Sequence, residues 1–127
     1  MIRIILAEDH NIVRNGIKLL LEADEQIKVL GEATNGLEVM ELLGAAEVDL
    51  IIADINMPQM DGMQLLREVK AKYPKIKVVM LSMHDHEKYV MEAFKNGGDG
   101  YLLKNIAAEE LIFAIKFINQ GYRYLQS

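Results

Sequence analysis

"DLIIADINMPQMDG", Asp49 to Gly62, is the stretch on which the fold turns. Leu50, Ile51, Ile52 and Ala53 run without polar interruption into Asp54. Such a run reads as a strand buried on both faces, the habit of parallel sheets. Behind it come Asn56, Pro58 and the turn signal Asp61-Gly62. A carboxylate at the mouth of a buried strand is either costly or useful, because a desolvated charge needs a partner.

Outward from this stretch, short apolar runs alternate with segments of helical period. Strands are predicted at residues 2–7, 27–33, 49–54, 77–82 and 100–104. Helices are predicted at residues 11–23, 36–46, 61–73, 86–97 and 107–121. In the first helix Val13, Ile17, Leu20 and Leu21 fall at helical spacing. In the third, Met63, Leu66 and Val69 share one side and Asp61 is the expected N-cap. The fourth closes on a glycine. In the fifth, Leu111, Ala114, Ile115 and Ile118 form the stripe expected to face the sheet, with Phe113 and Phe117 lying off it. Five strand–helix pairs with short loops imply an α/β domain whose parallel sheet is covered on both faces. Right-handed crossovers leave few topologies. Ligands of such sheets bind beyond the carboxyl ends of the strands, where strand order reverses.

Composition narrows the function. A chain of 127 residues is one domain with one core. No apolar run is long enough to span a bilayer, and "MIRIILAEDH" turns acidic too soon for a signal peptide. No membrane partner is expected. The absence of cysteine excludes disulfides and thiolate metal sites and fits a cytoplasmic protein. A net charge of −5 makes a poor nucleic-acid binder, which needs clustered Lys and Arg.

The predicted strand ends carry the chemistry. Strand one ends in Glu8-Asp9, strand three in Asp54, strand four in Ser82 and strand five in Lys104. Three carboxylates on one rim repel one another, and one is driven towards protonation unless a cation is present. The oxygen donors of Glu8, Asp9 and Asp54 select a hard cation, Mg²⁺ kept partly hydrated. A carboxylate beside Mg²⁺ and a lysine is a good phosphoryl acceptor, with Asp54 as nucleophile forming an acyl phosphate. His84 and His86 lack the spacing of a helical metal pair; His84 is expected only to tune the nearby site. The eight methionines read as core filler. Gly97, Gly98 and Gly100 precede a strand and make a turn, not a phosphate loop.

"AEDH" (7–10), "DINMPQMDG" (54–62), "VVMLSMHD" (78–85) and "GYLLK" (100–104), in this order and spacing, resemble the receiver domain of two-component response regulators. The resemblance covers essentially the whole chain, residues 1–127. It implies a flavodoxin-like, doubly wound, five-stranded parallel sheet of order 2-1-3-4-5 with five helices. It implies that Asp54 accepts phosphate from a sensor histidine kinase. Asp9 and Asp54 would bind Mg²⁺ directly with the backbone carbonyl of Asn56, while Glu8 acts through water. Ser82 and Lys104 would read the phosphoryl group. Tyr101 would rotate inward behind Ser82 and change the face built from the fourth helix, fifth strand and fifth helix, with homodimerisation as one outcome.

"GYLLKN", "SMHDHEKYV" and "GYRYLQS" further resemble the NarL/LuxR-type subfamily. Members usually carry a C-terminal helix-turn-helix DNA-binding domain, which residues 1–127 do not include, so the resemblance implies either the receiver part of a transcription factor, reaching DNA only through that output domain, or a stand-alone receiver. Asn105 stands where many receivers have proline, Met83 where many have Ala or Gly, and Ser82 where Thr is commoner. Met83 is expected to narrow access to the site. One rival is an aspartate-nucleophile, Mg²⁺-dependent phosphohydrolase. Those enzymes resemble Asp-x-Asp, and Asn56 at the second position cannot act as the general acid. A flavodoxin-like flavin binder would need a phosphate-binding first loop, which acidic "AEDHN" would repel.

Overall fold

A computed structural model describes residues 1–83 and 86–126. Eleven elements follow in chain order: β1 (Ile2–Ala7), α1 (Asn11–Glu22), β2 (Ile27–Ala33), α2 (Gly36–Leu43), β3 (Leu50–Asp54), α3 (Gly62–Lys72), β4 (Lys77–Ser82), α4 (Glu87–Lys95), β5 (Gly100–Leu103), α5 (Ala108–Asn119) and β6 (Tyr124–Leu125). The sheet is parallel throughout, in the order β2-β1-β3-β4-β5-β6. The expected order 2-1-3-4-5 is therefore present, and a short sixth strand extends it. Gly121, at φ +107°, returns the chain after α5. Tyr124 then pairs with Gly100 and Leu125 with Tyr101. Two residues are too few to carry a strand pattern, so no period can be read there.

Side-chain alternation in the central strands builds one core on each face. Ile5, Ile51, Ala53, Val78 and Met80 point to the layer closed by α2, α3 and α4 through Val39, Leu66 and Ala93. Ile4, Leu6, Ile52, Val79 and Leu81 point to the layer closed by α1 and α5 through Leu21, Leu111, Ile115 and Ile118. Every residue of β3 is buried, as the opening stretch predicts. Each such Leu or Ile contributes about 1.5–3 kcal/mol relative to exposure. The stripe of α5 is buried as expected.

Local signals fix the helix ends near the site. Asp61 caps α3 in a full capping box with Gln64. The α2 helix ends at Leu43, three residues before the expected end, where Gly44 and Ala45 turn back onto Glu41 and Leu42. Gly97, just past α4, has φ +92°, a conformation glycine adopts without a Cβ clash. No helix among the described residues is long and apolar enough to cross a membrane.

Candidate functional site

β1 pairs with β2 on one side and β3 on the other, so strand order reverses at β1. The crevice at the carboxyl ends of β1 and β3 is the switch point where this architecture places ligands. Four of the strand-end groups meet there. Glu8 is fully buried and Asp54 nearly so. The Lys104 ammonium stands between them, 2.8 Å from Glu8 Oε1 and 2.9 Å from Asp54 Oδ2. Asp9 completes the group: one oxygen each from Glu8, Asp9 and Asp54, with a ring nitrogen of His10, all lie within 4.8 Å of one another.

Backbone geometry holds these side chains in place. Lys104 N–H donates to Ser82 O at 2.8 Å, tying the lysine to the end of β4. Asn56 N–H donates to Asp54 Oδ1 at 3.2 Å and His10 N–H to Glu8 Oε2 at 3.1 Å. The Arg14 guanidinium donates to Glu8 O at 2.8 Å, to Asn11 Oδ1 at 2.8 Å and to Glu32 Oε1 at 3.2 Å. The loop between β1 and α1 is thus braced from the first turn of its own helix.

The electrostatics are those of a site short of positive charge. Burial pushes Asp54 up to about 6; the Lys104 ammonium opposes this and the Glu8 carboxylate adds to it. Burial alone would raise Glu8 too, but Lys104 and the His10 N–H hold it below the usual carboxylate range. Burial works against the Lys104 charge, yet its two carboxylate partners raise it above the ordinary lysine value. One ammonium therefore serves two buried carboxylates, and Asp9 adds a third negative charge. Asp9 Oδ1 is buried without a hydrogen-bond partner among the described residues. A small divalent cation held by oxygen donors fits this set: it supplies the missing charge and a partner for that oxygen.

Ser82 is buried at the end of β4. Tyr101, expected to turn inward, is already fully buried in the layer beneath α3 and α4. Asn56 lies exposed on the loop after β3. Met83 is 69% exposed, a surface position. His84 lies outside the described residues. Sequence reasoning overlooked His10, although it directly follows Glu8-Asp9: its Nδ1 sits 3.2 Å from Glu8 Oε2 and 3.4 Å from Asp9 Oδ1. It also overlooked Arg14, whose spacing of six residues from Glu8 carries no pattern of its own.

Three comparisons with known proteins bear on this site. The family model of the response regulator receiver domain matches residues 4–116. The chain is 38% identical over 124 residues to the transcriptional regulatory protein DegU of Brevibacillus brevis, covering 98% of this chain and 52% of that protein. It is 40% identical over 112 residues to the nitrate/nitrite response regulator protein NarL of Escherichia coli strain K12, covering 88% of this chain and 52% of that protein. The chain spans about half the length of these curated relatives. A crystal structure of a LuxR-family two-component response regulator from Aurantimonas sp. SI85-9A1 superposes with a TM-score of 0.91 at 30% identity, over 96% of this chain and 87% of that one.

Proposed function

Because this chain belongs to the response regulator receiver domain family, we propose that it is a Mg²⁺-dependent phosphoryl switch whose acceptor is Asp54. The observation that carries the reading is Lys104 bridging Glu8 and Asp54 beside Asp9 at the strand-order reversal. The donor is a phosphohistidine on a sensor histidine kinase. An Asp54 carboxylate oxygen attacks phosphorus, and a P–O bond forms as the P–N bond breaks. The electron pair leaves on the imidazole nitrogen, and the product is an acyl phosphate.

Glu8, Asp9, Asp54 and the Asn56 carbonyl would hold Mg²⁺, with Glu8 acting through water. Bound there, the cation offsets charge on the phosphoryl oxygens during transfer. Lys104 keeps Asp54 oriented before transfer and pairs with a phosphoryl oxygen after it. Ser82 donates its hydroxyl proton to another phosphoryl oxygen, and Tyr101 carries the change to the face of α4, β5 and α5. Homodimerisation and control of transcription through a DNA-binding output domain follow, in the cytoplasm. The relatives' names, a transcriptional regulatory protein and a nitrate/nitrite response regulator, support that direction.

Asn56, two residues after Asp54, offers no acidic proton, which weighs against the phosphohydrolase reading. The test is acetyl phosphate with and without Mg²⁺, read by intact-protein mass spectrometry. One added phosphoryl group is expected, only with Mg²⁺, and none in Asp54→Asn. Equal labelling of that variant would refute the assignment.

A further inference from the structure

Gln59 has φ +65° and is the one non-glycine residue in the left-handed region among the described residues. That conformation brings Cβ against the following carbonyl and is sterically costly for a side-chain-bearing residue. Gln59 lies on the loop between β3 and α3, the loop that carries Asn56. Its side chain does not hang free. Asn35, the buried N-cap of α2, accepts from Glu38 N–H at 2.9 Å through Oδ1. Its other end, Nδ2, donates to Gln59 Oε1 at 3.0 Å. Because the cap occupies Oδ1, the amide faces Gln59 with its donor.

Two further contacts close the same loop. Gly36 N–H donates to Met60 O at 2.9 Å, and a Cβ on Gly36 would stand 2.6 Å from Met60 Cγ. Gly62 N–H donates to Ile55 O at 2.9 Å, where a Cβ would meet Asp54 O at 2.4 Å. The loop is thus folded onto β3 at one end and fastened to the N-terminus of α2 in its middle.

We propose that Asn35 is a positioning residue for the phosphoryl site: its hydrogen bond to Gln59 latches the loop after β3 in the shape that presents Asn56. The inference rests on the receiver reading above. It assigns a role to a side chain 19 residues before the acceptor, at the N-cap of α2, which reaches the site only through the loop. Without the latch, Gln59 leaves the left-handed region, and apparent cation affinity falls with the fraction of competent loop.

The experiment is isothermal titration of Mg²⁺ into the parent, Gln59→Ala, Gln59→Gly and Asn35→Ser, with melting temperatures alongside. Gln59→Ala loses the latch but still needs a positive φ, so its affinity should fall about 5-fold. Asn35→Ser keeps a cap acceptor but is too short to reach Gln59, and should fall likewise with little change in melting temperature. Gln59→Gly adopts the conformation without the steric cost and should stay within about 2-fold of the parent. Without metal, amide exchange at Gly36 and Asn56 should quicken in Gln59→Ala. Parent-like affinity in Gln59→Ala, or equal losses in the Ala and Gly variants, would overturn the latch while leaving the receiver reading intact. A parent that binds no Mg²⁺ would overturn the receiver reading and the latch together.

Discussion

The Lys104 ammonium is shared between two buried carboxylates, 2.9 Å from Asp54 Oδ2 and 2.8 Å from Glu8 Oε1. Lys104 is therefore a structural counter-ion, and in the proposed switch it is also the phosphoryl partner. If Asp54 takes a phosphoryl group as proposed, the same ammonium would have new oxygens to meet, and Glu8 would keep its partner. A contact that differs between the two states is what lets a modification shift a population.

Lys104→Met tests the structural half of that relationship. Removing one partner from a buried ion pair strands the others, at a cost of about 3 kcal/mol. Urea unfolding at neutral pH should show a loss of this order, and added Mg²⁺ should recover part of it. A midpoint unchanged from the parent would mean that Glu8 and Asp54 are solvated or protonated regardless of the lysine.

The raised Asp54 fixes the sign of a pH effect. Its carboxyl is pushed to about 6 by burial first and then by the Glu8 charge. Between about pH 4 and 6 the native state then holds more protons at this position than the unfolded chain does. Stability from this group falls as pH rises through that window. Glu8, held low, runs the other way: its contribution is present above the ordinary carboxylate range and is lost as pH falls through its depressed value. Asp54→Asn cannot titrate. Its stability relative to the parent should climb from about pH 4 to 6 and then level off. Saturating Mg²⁺ should flatten the climb. A flat difference without metal would show that Asp54 ionises in the fold at no penalty.

Ser82→Ala separates chemistry from signalling. Ser82 is buried at the end of β4, and Lys104 N–H donates to its carbonyl. The variant keeps Asp54, Lys104 and the acid cluster, so it should still accept phosphate from acetyl phosphate. Amide shifts across residues 86–119 on adding beryllofluoride should shrink markedly. An undiminished response would remove Ser82 from the relay.

Much of this site was legible because a strand end is a sequence signal. β1, β2 and β4 run where the apolar patterns place them and β3 starts one residue later; Glu8 directly follows β1, and Asp54 and Ser82 end β3 and β4, so all three meet at one edge. Asp61 could be read as a cap because capping is a local rule. Asn35 and Gln59 could not be paired, since 24 residues and a whole helix separate them and neither type announces the other. The buried ring of Tyr101 was equally hidden: a sequence gives the residue type but not which of two rotamers is occupied. The packing of Phe113 and Phe117 was hidden for the same reason. The sequence puts them off the buried stripe but does not say what they meet.

Those two rings carry the last prediction. Phe117 stacks on Tyr122 with ring centroids 4.8 Å apart and on Phe113 at 5.6 Å. Tyr124, on β6, meets both phenylalanines edge-on at 6.1 and 6.3 Å. Both rings thus join a cluster formed with the tail. Phe117 is half-buried within it, whereas Phe113 is 58% exposed. The two substitutions should therefore differ. Phe117→Ser removes the central ring; each aromatic pair contributes about 0.5–1.5 kcal/mol, so a modest drop in melting temperature and faster exchange at Gln126 N–H are expected. Phe113→Ser loses two pairs and little buried surface, so its drop in melting temperature should be the smaller of the two. If the exposed edge of the cluster joins two phosphorylated receivers, Phe113→Ser should also lower the mass seen by light scattering with beryllofluoride. A parent that stays monomeric with beryllofluoride, or a Phe113→Ser variant that assembles like the parent, would reduce the cluster to a clasp for the tail.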